Sequence, residues 1–393
     1  MNERNIDRLY NIADEFGSIA KKVNESSVKR KEHSDNTIDL INKSYEIGKL
    51  LNKDIKKVSK ANAALRSQDN IVLNTSYILT SNIKKQREIL QKLEKNKSLN
   101  HEVIDQMMEK INGLSDSLNE AISNIQNIIK IDNEIIMMDN LLIMQKQFQQ
   151  EAIKKLSKLA SKSLEDAKKA IKGSSSNLDR GQKMAKRFKS VKQLIKKGDV
   201  GELERYIDEA ITGWNIAVDV NKSSKSQFEF SEKVNEFTKR LHNESMSIRD
   251  LVAEKHSVFE NNLQTITVLT VIVFLKFKKY LEIEKIVETI ENNSKDYDLI
   301  HDLITFIKVA CKDVKSVITL NYDMTESIKL NNEVETRAFD LSKDEMKFYD
   351  EIKNEVQKMT EATRYPVDGS GKNIKNGQIL ERQLREIVEE MQV

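Results

Sequence analysis

Residues 104–135 read IDQMMEKINGLSDSLNEAISNIQNIIKIDNEI. Steps of three and four from Ile104 land on Met107, Ile111, Leu114, Leu118, Ala121, Ile125, Ile128, Asp132 and Ile135, and nine of those ten positions are apolar. A 3.5-residue repeat held this long is a coiled-coil pattern rather than the drifting stripe of an ordinary amphipathic helix. The register continues through Leu142, Ile153, Leu156, Ala160, Ala167 and Ala170, with Asp139, Lys146 and Gln149 interrupting it. Polar residues on such a seam weaken it locally and can set register or partner number.

Weaker seams flank this one. Leu51, Ile55, Val58, Leu65, Val72, Leu79, Ile83, Leu90 and Leu93 share one register, with polar gaps at Asn62, Asp69, Ser76 and Gln86. Phe230, Val234, Phe237, Leu241, Ile248, Leu251 and Val258 suggest another, and Ile300, Ile304, Ile307, Cys311, Val314, Ile318, Ile328 and Phe339 a third. Each stripe calls for a helical partner on one face.

Composition agrees. The chain holds one proline, Pro366, and eleven glycines in 393 residues. Charged residues make up 32% and aromatics 6%, which suits narrow helical seams better than a wide mixed core. The expected fold class is all-α: an elongated helical bundle with long coiled-coil hairpins.

Few breaks are visible. Lys31–Asn36 is polar and is read as the end of a first helix. Lys95–Asn100 reads as a turn with Asn100 as the cap of the next helix. Residues 172–181 (KGSSSNLDRG) read as a linker. Residues 197–202 read as a second linker, in which Asp199 and Glu202 have capping-box spacing. Asn292–Ser294 is a further break, and Ser342 with Glu345 a further cap signal. Residues 364–377 (RYPVDGSGKNIKNG) read as a flexible tether. The resulting division is a helical arm over 1–171, a basic linker with a short amphipathic helix over 172–202, a second arm over 203–363, a tether over 364–378, and an amphipathic C-terminal helix over 379–393.

Two stretches stand out as candidate contact sites. No charge occurs between Glu260 and Lys276, and the run Leu263–Leu275 (LQTITVLTVIVFL) includes Ile266, Val268, Leu269, Val271, Ile272, Val273 and Phe274. Thirteen residues are short for a membrane crossing, which needs about 20. The run therefore reads as bundle core, as a membrane-inserting or membrane-docking element flanked by Lys276, Lys278 and Lys279, or as a partner-binding strand favoured by its β-branched residues. The other stretch is 154–197, with fifteen Lys and Arg against three acids, a net of +12 in a chain of +3. Lys183, Lys186, Arg187, Lys189, Lys192, Lys196 and Lys197 surround Met184, Phe188, Val191, Leu194 and Ile195, a basic amphipathic pattern suited to an anionic membrane or an acidic partner. Only one aromatic is interleaved, so nucleic acid is disfavoured.

Other motifs carry less. Asp368–Asn373 has Gly-Lys but lacks the Ser or Thr and the preceding strand of a phosphate loop. His33, His101, His242, His256 and His301 form no metal-ligand spacing beyond His101 with Asp105. Cys311 lies on an apolar stripe and reads as inert packing. Trp214 reads as core of an amphipathic helix. No cofactor, metal or catalytic constellation is expected. With no apolar signal segment at Met1–Asn5, a cytoplasmic location is expected. The expected function is a non-enzymatic coiled-coil scaffold, adaptor or signalling rod, binding protein partners through heptad faces and associating with itself. The alternative is a soluble protein that docks or inserts residues 263–275 into a membrane, as a pore-former or membrane remodeller.

Overall fold

A computed structural model describes residues 3–290 and 297–392. In chain order, α1 (Glu3–Lys95) and α2 (His101–Arg187) are followed by a 3₁₀ turn at Phe188–Ser190 and a short helix α3 (Val191–Lys197). Helix α4 (Val200–Ile272) then runs into a π-helical turn (Val273–Phe277), one turn α5 (Lys278–Tyr280) and α6 (Ile283–Ile290). Helix α7 (Tyr297–Gln392) closes the chain, and α1, α2, α4 and α7 dominate it. No strand occurs among the described residues. The all-α expectation holds, and the strand reading of 263–275 is overturned, because that run continues a long helix with the same inward periodicity.

The chain forms two compact units. Unit 1 comprises residues 1–49, 147–246 and 344–393, and unit 2 comprises 50–146 and 247–343. Each of the four long helices contributes a segment to both units, so the division is not the succession of arms over 1–171 and 203–363 expected from sequence. Within each unit the seams bury against one another. In α1 the buried positions step by three and four from Leu9 to Leu93, and the polar gaps Asn62, Asp69, Ser76 and Gln86 are as buried as their apolar neighbours. In α2 the register from Ile104 to Ala170 is buried throughout, Asp132, Asp139, Lys146 and Gln149 included.

The register read at 230–258 holds at Val234, Leu241 and Ile248 and is off by one at its other positions. The buried positions are Ser231, Val234, Thr238, Leu241, Ser245, Ile248, Val252, Lys255 and Phe259, whereas Phe230, Phe237, Leu251 and Val258 are half-buried. Small residues at the centre of this seam push the bulky ones to its flanks.

Two of the expected breaks hold. Asn100 accepts the Glu102 N–H at 3.2 Å to open α2. Gly198 ends α3 with φ +69°, a left-handed cap that suits glycine, and Asp199 then accepts the Glu202 N–H at 3.1 Å. Three do not. Residues 31–36 lie within α1, where Ser34 and Thr37 turn their hydroxyls onto the Arg30 and His33 carbonyls one turn back. Residues 172–181 continue α2, and residues 364–378 continue α7. Ser342 and Glu345 also sit inside α7, as buried seam positions rather than a cap. The break at Asn292–Ser294 lies outside the described residues.

The glycines and proline that suggested flexibility serve close packing instead. A Cβ on Gly369 would lie 2.7 Å from Val23 Cγ2, one on Gly377 would lie 2.5 Å from Trp214 Cβ, and one on Gly173 would lie 2.7 Å from Val220 Cγ2. These glycines let backbones approach where a side chain would collide. Pro366 leaves the carbonyl of Ala362 without its helical N–H donor. Ser26 Oγ on α1 donates to that carbonyl at 3.0 Å.

Candidate docking face and buried charged layers

The apolar run lies in unit 2 and is divided lengthwise. Ile266, Leu269, Ile272 and Val273 are buried, and Leu263 is half-buried. On the other face Val268 and Val271 are each 51% exposed, Phe274 41% and Leu275 69%. The bundle-core reading therefore describes one face only. The helix is apolar all round, and half of it has no partner within unit 2.

The π-helical turn adjusts this helix at the end of the run. Uninterrupted stepping from Leu269 and Val273 would bring Lys276 to the buried position. The wider turn brings Phe277 inward instead, and the three-residue step from Tyr280 to Ile283 across the turn at Leu281–Glu282 restores the register. Lys276 thereby meets Glu120 on α2 at 2.6 Å. Lys279 lies 3.9 Å from Glu109, and Lys110 meets Glu282 at 2.5 Å. Leu275, Lys276, Lys279 and Tyr280 line one side of a groove of about 360 Å³, opposite Gly113, Leu114 and Ser117 of α2.

Behind this surface, unit 2 buries charge. Lys255 Nζ donates to Asp139 Oδ1 at 2.7 Å and lies 2.7 Å from Glu335 Oε1, with all three side chains sealed from solvent. Asn62 Nδ2 donates to Asp139 Oδ2 at 2.9 Å, and Asn331 Nδ2 donates to Asn62 Oδ1 at 2.6 Å. Burial raises the Glu335 carboxyl above the usual carboxylate range, against the opposing pull of Lys255. At another level Asp69 and Asp132 share a hydrogen bond, and Asn262 Nδ2 donates to Asp132 Oδ1 at 2.7 Å. Burial, together with this second carboxyl, pushes the Asp69 carboxyl up to about 9. Burial also raises Asp132. The pair therefore keeps a proton at neutral pH.

In unit 1 the basic block turns its apolar side inward. Met184, Phe188 and Val191 are buried, while Leu194 and Ile195 are half-buried. Lys183, Lys186, Arg187, Lys189, Lys192, Lys196 and Lys197 are exposed. Several are engaged: Lys183 with Asp179 at 2.6 Å, Arg187 with Glu209, and Lys189 over the Tyr10 ring at 5.7 Å. Lys189 and Lys192 also line a groove with Ile6, Asp7, Tyr10 and Phe188. The two candidate stretches lie in different units.

The remaining motifs fall into the framework. Cys311 is buried, and burial pushes its thiol up to about 12. Trp214 is half-buried and donates through Nε1 to Glu381 at 2.9 Å. Residues 368–373 are helical. Among the described residues no group of three His, Cys, Asp or Glu side chains could hold a metal. The single-register reading missed a second stripe in unit 2, exposed Met137, Leu141 and Met144 on α2. Their i, i+4, i+7 spacing was visible beside the stronger seam. Val200–Ile290 contains a stretch long and apolar enough by composition to cross a membrane, of which 33% is buried. Comparison of the chain with protein-family models, with curated proteins and with solved structures finds no match.

Proposed function

We propose that this chain is a non-enzymatic helical protein that docks on a lipid surface through the outward face of residues 268–275. The observation that carries this reading is the exposure of Val268, Val271, Phe274 and Leu275 on one face of a helix with no charge between Glu260 and Lys276. Contiguous exposed apolar surface marks a binding site. Lys276, Lys278 and Lys279 follow directly, where an anionic headgroup layer would favour them. The inward heptad faces are already occupied within the units, which leaves this face, rather than the seams, available for contact.

Liposome flotation of the intact chain is the test. Each apolar side chain transferred to lipid contributes about 1.5–3 kcal/mol. Val271→Asp and Leu275→Asp alter exposed positions, so folding by circular dichroism should be unchanged while bound protein falls at least about tenfold. Failure to float at any lipid composition, or flotation indifferent to both substitutions, removes the proposal.

A scaffold reading is supported by a different surface. Met137, Leu141 and Met144 present the spacing of a seam that would take one more helix. It predicts association measurable by light scattering and lost in Leu141→Asp. A monodisperse monomer over a wide concentration range counts against it.

A further inference from the structure

Among the described residues, unit 1 buries a cation that has no hydrogen-bonded counter-charge. Arg30 is 0% exposed, and none of its three guanidinium nitrogens has a hydrogen-bond partner. Lys255 in unit 2 is equally buried but has two carboxylates at 2.7 Å. The acid that most influences Arg30 is Asp166, which is not bonded to it. Asp166 instead accepts from Ser226 Oγ at 2.7 Å and lies 3.7 Å from Lys169. Burial lowers the Arg30 pKa only to about 10, so the group is still charged at neutral pH.

Around it the unpartnered donors outnumber the acceptors. The Asp166–Ser226 bond, and the contacts of Ser34 and Ser163 with Met359, fix the registers of the four helices here. They place Ala167, Gln227 and Thr363 at the level of Arg30. Both amide atoms of Gln227 lack partners, as do the hydroxyls of Ser27 and Ser224 one turn away. An isolated buried ion costs several kcal/mol unless paired. Guanidinium, amide N–H and hydroxyl groups all donate, the neutral Gln227 Oε1 can take only some of these N–H groups, and the neighbouring Ala167 offers no acceptor side chain.

We propose that Arg30 and Gln227 form an internal site for a small inorganic anion of halide size, which supplies the charge the fold omits. A monatomic anion accepts from all these donors and brings no donor of its own into the seam. Its binding stabilises unit 1, because the unfolded chain has no such site.

The test is thermal and urea unfolding of the full chain in sodium chloride against sodium gluconate at equal ionic strength. For one site, each tenfold rise in chloride above its dissociation constant raises the folding equilibrium about tenfold, and gluconate does not substitute. Arg30→Met removes the charge while largely keeping the apolar bulk, and its stability should be indifferent to the anion. Asp166→Asn should retain the chloride response. A wild-type response equal in the two salts overturns the proposal, as does a chloride response that survives Arg30→Met or vanishes in Asp166→Asn. If Arg30→Met does not fold, bromide anomalous diffraction from the wild type decides. A peak beside the guanidinium upholds the site, and its absence removes it. Phosphate in a third arm distinguishes halide from any anion: equal stabilisation by phosphate would refute the size assignment.

Discussion

Ser26 Oγ on α1 donates to the carbonyl of Ala362 on α7, the acceptor that Pro366 leaves vacant four residues later. A proline within a helix removes one hydrogen bond and crowds the preceding turn, at a cost of roughly 3 kcal/mol. The serine returns a partner to the orphaned carbonyl from another helix. Ser26→Ala should therefore destabilise by about 1 kcal/mol. In a Pro366→Ala background the restored backbone N–H at position 366 takes the carbonyl, and the serine effect should fall towards zero. A double-mutant cycle in urea measures this coupling, and additive effects would show that the cross-helix bond does not compensate the proline.

The same pair illustrates what the sequence makes legible. Helicity and seam register were readable wherever apolar residues hold a 3.5 period, as from Ile104 to Ile135, and even the polar gaps at Asn62 and Asp69 were placed on the correct face. Residues 364–378 were not readable as helix, because local propensity penalises proline and glycine whatever their surroundings. Gly369 against Val23 and Gly377 against Trp214 acquire their reason only from a neighbouring helix. The 230–258 register held at Val234, Leu241 and Ile248 but slipped beside them for a related cause: Ser231, Thr238 and Ser245 occupy the core, and hydrophobicity points to their larger neighbours. The apolar run at 263–275 was legible from its missing charges. Its division into a buried and an exposed face depends on which positions meet the other helices.

The buried triad of Lys255, Asp139 and Glu335 should behave as a unit. Removing one member strands the others in a medium that solvates charge poorly, which costs about 3–5 kcal/mol. Lys255→Met should thus lower the unfolding free energy by that amount. Replacing all three by apolar residues of similar volume should cost less than the single change, the remaining cost being the Asn62 amide that loses its Asp139 acceptor. Chemical denaturation of the single and triple variants checks this, and a single substitution as mild as the triple would show that the charges do not depend on one another.

Asp69 gives stability a pH dependence of defined sign. Its folded pKa, about 9, lies above its value in an unfolded chain, near 4, so between these limits the folded state holds a proton that the unfolded state has lost. This contribution favours folding most at the acid end and is lost as pH rises through the folded value, at up to about 1.4 kcal/mol per pH unit. Asp69→Asn keeps a donor towards Asp132 and removes the titration. Its stability relative to wild type should rise steadily from pH 5 to pH 9, as read by urea unfolding across that range. A constant difference would place the ionisation elsewhere.

The π-helical turn at Val273–Phe277 has an identifiable cause, and so a predictable remedy. A regular helix would carry Lys276 into the seam and turn Phe277 outward, exchanging a buried ring for a buried ammonium. The wider turn avoids this and costs some regularity. Lys276→Leu supplies an apolar side chain at the regular position, so the α-helical path becomes competitive and the extra width loses its advantage. The exposed Lys276–Glu120 pair that is lost contributes no more than about 1 kcal/mol. Slower hydrogen exchange across 273–282 and a regular turn in a crystal structure are the expected results. Phe277→Ala in the native background should cost about 3–5 kcal/mol. Retention of the π turn in Lys276→Leu would mean that the packing of Phe277, rather than exclusion of the lysine, holds it in place.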